Sequence, residues 1–201
     1  MATIVYIKDI ESSHLLCLGI DEAGECRRYT VTPRAYAELG SPPRGAQIDD
    51  AQLLDIKYSD EYVRAKKKAL ALLALADNNE KTLLRKLRAY GIGYEIASDV
   101  VREMVGLGYI DECRQLERLI LHEANISYRG PSKIMAKLTS RGYSPTDVRR
   151  VMGELSESGE LDFARSARAL IEKKLPPGAS AEERRALLMK NGYKINTEGL
   201  C

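Results

Sequence analysis

The stretch "LRAYGIGYEIASDVVREMVGLGYID", residues 87–111, returns 51 positions later as "LTSRGYSPTDVRRVMGELSESGELD". Residues 83–113 align without a gap on 134–164, and Lys86/Lys137, Leu87/Leu138, Gly91/Gly142, Val100/Val151, Glu103/Glu154, Gly108/Gly159 and Asp111/Asp162 are identical. Chance would supply about two identities over such a stretch. Leu83/Ile134, Leu84/Met135, Val101/Met152, Met104/Leu155 and Ile110/Leu161 also stay apolar. What recurs is therefore a core face together with the glycines that stop its helices, which is structural repetition and not a catalytic motif.

Each copy reads as three helices: "EKTLLRKLRAYG", "YEIASDVVREMVGLG" and "DECRQLERLILHE", then "GPSKIMAKLTSRG", "SPTDVRRVMGELSESG" and "LDFARSARALIEKKL". A unit of about 50 residues hides too little apolar surface by itself. Units of this kind must pack on their neighbours, which predicts a mainly α chain of tandem three-helix repeats in an elongated, curved array with long faces open to a partner. A third copy starts at "EERRALLMKNGYKIN", with Leu188 and Gly192 falling 50 residues after Leu138 and Gly142, and then the chain stops.

The first fifty residues follow another period. "TIVYIKDI", "SHLLCLGI" and "CRRYTV" are short β-branched, aromatic and leucine-rich runs separated by turn residues, a small antiparallel meander. A turn centred on "EAGE" sets Asp21 opposite Cys26 and Cys17 opposite Thr30, so the two cysteines are out of register for a disulfide. "SPPRGAQ" breaks the chain, and from Asp49 the spacing becomes helical. The predicted boundaries are 1–48 for the meander and a short helix, 49–78 for linking helices, 79–128 and 129–175 for the two repeats, and 176–201 for the truncated third.

Composition narrows the function classes. Four cysteines without CxxC spacing and no apolar leader argue against secretion and a disulfide framework, so the cytoplasm is the expected compartment. No apolar run approaches the roughly 20 residues that span a bilayer. His14, read as lying in a strand, and His122, in a helix, belong to no metal or nucleophile motif, and no phosphate-binding glycine loop follows a strand. Neither catalysis, a metal nor a cofactor is expected. Asp111-Glu112 resembles a carboxylate pair, but Asp111 and its counterpart Asp162 stand where a helix N-cap belongs. Tyr90, Tyr94, Tyr109, Tyr128 and Tyr143 fall near helix junctions and read as packing at repeat joints.

Charge is unevenly placed: residues 129–174 hold ten Lys or Arg against six Asp or Glu, in a chain whose net charge is only +2. Arg129, Lys133, Lys137 and Arg141 recur at four-residue spacing and share one face, with Arg149 and Arg150 on the following helix. Like charges so spaced repel, so the face is either fully solvated or kept for an anionic partner surface. "VRAKKKALALL" groups Arg64, Lys66, Lys67 and Lys68 at what reads as a helix start, an unfavourable place for cations, and is taken as a solvated face.

The order of pieces resembles the RecX family of bacterial recombination regulators. "AKKKALALLALADNNEKTLLRKLRAYGI" is similar to the family's first helical stretch, with Leu84, Leu87 and Gly91 in place. "GLGYIDECRQLERLILHEANISYRGPSKIMAKLTSRGYSPTDVRRVM" resembles its most recognisable part through Gly108, Tyr109, Ile110, Asp111, Gly130, Ile134, Leu138 and Gly142. The chain departs from the family pattern at Glu112, which stands where a second Asp is usual, and in the third repeat, which ends after Gly192. The resemblance implies a non-catalytic monomer that lodges in the groove of the RecA–single-stranded DNA filament. There it would inhibit recombinase, ATPase and coprotease activities, modulate recombinational repair and the SOS response, and touch DNA only through the filament. On this reading Arg129, Lys133, Lys137, Arg141, Arg149 and Arg150 meet the partner, while Gly91, Gly108, Asp111, Gly142, Gly159 and Asp162 are structural. The alternative is a direct DNA-binding protein of helix-turn-helix type, against which the near-neutral net charge speaks.

Overall fold

Alternating apolar positions in the first thirty residues build strands β1 (Ala2–Ile10), β2 (Leu15–Glu22) and β3 (Glu25–Val31). The structure, a computed structural model, describes residues 2–10 and 13–194, and the chain divides into two compact units, Met1–Tyr109 and Ile110–Cys201. In the β2–β3 pairing Asp21 faces Cys26 and Cys17 faces Thr30, the register the sequence predicts, and both thiols are free. Ala23 and Gly24, at φ 55° and 91°, make the tight turn between these strands. His14 lies in the β1–β2 turn at φ 50°, not in a strand as its sequence context suggests.

Helix α1 (Pro33–Glu38) follows, and then a two-residue strand β4 (Gln47–Ile48) completes a sheet of order β3-β2-β1-β4. No residue pattern announces β4. It forms because the proline break turns the chain back along β1, where Gly45 N donates to Ile4 O at 2.8 Å and Ile4 N to Ala46 O at 3.0 Å. In β2 the Tyr6 ring lies across Gly19, where a Cβ would come within 2.2 Å of it, so only glycine fits there.

Helix α2 (Asp50–Leu75) opens with a reciprocal capping box between Asp49 and Gln52. Ile56 enters the sheet's core with Ile4, Leu18, Ile20 and Val31. Asp60 Oδ1 accepts Thr30 N at 2.8 Å, covering part of the exposed edge of β3. Arg64, Lys66, Lys67 and Lys68 therefore sit inside one long helix and not at a helix start, so the adverse dipole expected of them does not arise. Arg64 pairs with Asp60 at 3.0 Å and Lys66 with Glu103 at 2.6 Å.

The repeated segments become α3 (Glu80–Ala89), α4 (Tyr94–Gly106) and α5 (Glu112–Asn125), then α6 (Pro131–Ser140), α7 (Pro145–Glu157) and α8 (Phe163–Lys174), with α9 (Ala181–Lys190) after them. The first helix of every copy stops in the same way. Gly91, Gly142 and Gly192 take φ of 83°, 100° and 86°, a region closed to most side chains. The following residue, Ile92, Tyr143 or Tyr193, buries its side chain and returns its N–H to Leu87, Leu138 or Leu188. Gly108 and Gly159 end α4 and α7 at φ 75° and 79°. Asp111 accepts Arg114 N at 3.0 Å, and Asp162 accepts Ala164 N and Arg165 N at 2.8 and 3.0 Å.

Packing does not follow the sequence repeat helix for helix. The face of α5 made by Leu116, Ile120 and Ala124 shares a core with Ile134 and Leu138 of α6 and Val148 and Val151 of α7. Thus the third helix of one copy packs with the first two of the next. In the first unit α2 packs on α3 and α4, and its buried Ala65 and Ala69 lie 51 positions before Leu116 and Ile120. The second half of α2 thus takes the place that α5 takes later. Helix α8 packs on α9 in the same sense, with Ala167, Leu170, Leu188 and Tyr193 in one cluster.

The end of α9 also docks on the start of α6. Gly130 N donates to Asn191 O at 2.8 Å and Ser132 N to Gly192 O at 3.1 Å, so free N–H groups of one helix end meet free carbonyls of another. A Cβ on Gly130 would lie 2.5 Å from the Gly192 backbone, although its φ of −76° would suit any residue. Gly130→Ala is therefore expected to destabilise the second unit through contact alone, by about 1–3 kcal/mol. Thermal unfolding followed by circular dichroism checks this, and a variant as stable as the parent would show that the contact carries no weight.

Candidate partner-binding surface

Helix α6 begins with Pro131 at its first turn, where a missing N–H costs nothing, and buries Ile134 and Leu138. That sets Lys133 and Lys137 along one flank of the buried stripe, with Arg141 at the helix C-cap. The structure does not leave these cations equivalent. Glu123, on the core side of α5 with 3% of its side chain exposed, accepts a hydrogen bond from Arg129 Nη1 at 2.6 Å and another from Lys137 Nζ. His122 Nδ1 lies 3.8 Å from the same carboxylate.

A buried carboxylate is costly unless it is paired and hydrogen-bonded, and here two cations answer it. Burial alone would push the Glu123 carboxyl up. The Lys137 hydrogen bond and the charges of Arg129 and Lys137 outweigh it and hold the group below the usual carboxylate range. Arg129 and Lys137 are thus the means by which the turn after α5 and the helix α6 are tied to α5. They also ease the repulsion that four-residue spacing predicts. In the first copy Lys86, the counterpart of Lys137, meets a neutral acceptor instead: it donates to Asn78 Oδ1 at 2.5 Å, and Asn78 Nδ2 donates to Leu72 O at 3.0 Å.

On α7, Arg150 is held by Glu154 at 2.9 Å and Asp147 at 3.8 Å, and its Nη2 lies 3.4 Å from Cys113 Sγ of α5. Lys133, Arg141 and Arg149 are exposed. Of the six cations singled out by spacing, then, Arg129, Lys137 and Arg150 serve the fold or a local ion pair, while Lys133 and Arg149 present charge outward. Glu123 is the residue that sequence reasoning missed. Its signal is the 116, 120, 123, 124 spacing, which places a carboxylate on an apolar face.

The tyrosines divide as well. Tyr143 is buried, with its hydroxyl donating to Gln115 Oε1 at 2.8 Å, and Tyr128 is half-buried at φ 52°. Tyr90, Tyr94 and Tyr109 are 59%, 63% and 56% exposed, so they do not pack at joints as their positions suggest. Lys68 Nζ sits 3.6 Å from the centroid of the Tyr90 ring. Among the described residues no group of three or more His, Cys, Asp or Glu could hold a metal, and no helix is long and apolar enough to cross a membrane.

The depressed Glu123 carboxyl has a consequence for stability. Its folded-state value lies below the unfolded one, so its contribution is fully present above the unfolded carboxylate range and is lost as pH falls through the folded value. Glu123→Gln should cost about 1–3 kcal/mol at neutral pH and flatten the acid limb of the stability curve. Denaturant unfolding at pH 7 and again near pH 4 measures both; equal losses at the two pH values would refute the linkage.

Comparison with known proteins gives these features a family. No family model matches the chain. Regulatory protein RecX of Stenotrophomonas maltophilia (strain R551-3) is 32% identical over 131 residues, a stretch covering 63% of this chain and 77% of that protein. The regulatory protein RecX of Geobacillus thermodenitrificans is 27% identical over 156 residues, 78% of this chain but 56% of its own; the chain spans only about half the length of such longer relatives. A crystal structure of regulatory protein RecX matches the fold with a TM-score of 0.70 at 17% identity, over 96% of this chain and 95% of that one. On the identity and span shared with the Stenotrophomonas protein, the chain belongs to the regulatory protein RecX family.

Proposed function

We propose that the chain is a cytoplasmic, non-catalytic regulator that binds the RecA–single-stranded DNA filament and inhibits its recombinase, ATPase and coprotease activities. Through that inhibition it would modulate recombinational repair and the SOS response. Family membership supports a regulatory role. The residue-level reading rests on one observation: with Arg129, Lys137 and Arg150 engaged by carboxylates, Lys133 and Arg149 remain exposed with no acidic partner among the described residues. Such cations steer and register an acidic partner surface at little cost to the fold. Repetition extends the surface, so that many weak contacts to successive protomers can add.

The test is ATP hydrolysis by the cognate RecA on single-stranded DNA, titrated with this protein and with a Lys133→Glu/Arg149→Glu double variant. The inhibitory midpoint should rise about tenfold in the double variant while helicity and melting are unchanged. An unchanged midpoint removes these two residues from the interface, and absence of inhibition by the parent chain removes the regulatory reading.

A second reading, direct contact with single-stranded DNA, is favoured by the exposed Tyr90 with Lys68 against its ring, and by the exposed Tyr94, since aromatic faces and cations together hold bases and backbone. Affinity for bare DNA measured against salt separates the two. Direct binding predicts a steep salt slope and a loss of about 1–3 kcal/mol on Tyr90→Ala, whereas filament binding predicts weak affinity that this substitution leaves unaltered.

A further inference from the structure

A cleft between α1 and the first half of α2 takes no part in the reading above, and the inference drawn from it does not depend on that reading. Its volume is about 380 Å³. From α1 and the residue after it come Ala35, Glu38 and Leu39; from α2 come Asp55, Ser59 and the rings of Tyr58 and Tyr62. The tyrosine hydroxyls are engaged elsewhere, Tyr58 donating to Asp99 at 3.0 Å and Tyr62 to Glu103 at 2.6 Å, so what these residues lend the cleft is aromatic surface.

Ser59 is the unusual member. It is only 8% exposed, yet its hydroxyl makes no hydrogen bond to any described residue, although a helical serine can turn back to the carbonyl four residues earlier. Its Oγ is not sealed from solvent, as Ser98 Oγ is, so it stands open to the cleft as an unoccupied hydrogen-bonding group. Asp55 likewise has no ion-pair partner among the described residues, and Glu38 is held only by Arg34, in a pair whose side chains are 89% and 64% exposed. Exposed pairs of this kind are worth little and exchange readily.

The cleft therefore offers two carboxylates and one hydroxyl oxygen as acceptors, aromatic faces, and the apolar surface of Ala35 and Leu39. Guanidinium is the side-chain group that matches this set. It donates five hydrogen bonds and accepts none, it is planar and stacks on aromatic rings, and its aliphatic stem lies on apolar surface. We propose that this cleft is a docking site for an arginine side chain presented by an exposed segment of a protein partner. Asp55 and Glu38 would hold the guanidinium, Ser59 would accept one of its N–H groups, and Tyr58 and Tyr62 would flank it.

The experiment is a titration of the full, isotope-labelled chain with acetyl-Gly-Arg-Gly-amide at constant ionic strength, followed by amide chemical shifts. The same peptide with norleucine in place of arginine is the control. Saturable shifts are expected at the amides of Leu39, Asp55 and Ser59 with the arginine peptide and not with the norleucine peptide. Asp55→Asn, a change on an exposed helical position, should weaken binding about fivefold, with the rest of the spectrum confirming that the variant is folded. Absence of saturable shifts at these amides, an equal response to norleucine, or full affinity in Asp55→Asn would each overturn the proposal.

Discussion

The burial of Leu116, Ile120 and Ala124 against Ile134, Leu138, Val148 and Val151 is the contact on which the second unit depends. By sequence α5 closes the first copy; by packing it opens the second. The physical reason is area. Two helices of ten to thirteen residues, such as α6 and α7, bury only one stripe each and need a third helix to close the core. The chain supplies that helix from the preceding copy each time, α2 for α3 and α4, α5 for α6 and α7, and α8 for α9. A repeat built this way cannot be cut at its sequence boundary without exposing an apolar face.

The same arrangement explains what happens to charge. A linker that must bring α6 back onto α5 passes close to the core, and Glu123 is carried under it. Once a carboxylate is buried there, Arg129 and Lys137 are drawn to it, because leaving it unpaired would cost more than fixing two long side chains. A surplus of cations that looks uniform along the sequence is thereby sorted into those that answer buried or local carboxylates and those that face outward. The surface left for a partner is smaller than the spacing suggests and is presented on a tied-down helix, a better platform for recognition than a frayed one.

Much of the architecture was legible because it is written in local terms. The hairpin register at Asp21 and Cys26, the glycine stops at Gly91 and Gly142 and the caps at Asp111 and Asp162 all depend on residues within a few positions of each other. The features that sequence reading missed are those decided by distant partners. Strand β4 exists through backbone bonds to β1, the continuity of α2 removed a presumed helix start at Arg64, and Tyr90, Tyr94 and Tyr109 proved exposed because no neighbouring helix covers them. The equivalence of α2 with α5 was hidden because Ala65 and Ala69 do the work of Leu116 and Ile120. Small residues fill the place where α2 lies close to its neighbours, and identity counts do not register that.

Periodicity and helix stops are properties of the chain taken a few residues at a time. The sequence by itself therefore determined a mainly helical protein, a meander at the start, a unit repeated at 51-residue spacing and a likeness to RecX regulators. Which helices share a core, which cations are consumed by Glu123, and that α1 and α2 enclose a cleft onto which Ser59 opens were decided only in three dimensions. These outcomes turn on desolvation and packing between residues far apart in the chain. The free energy of each group there is set by what surrounds it, and the sequence does not state the surroundings.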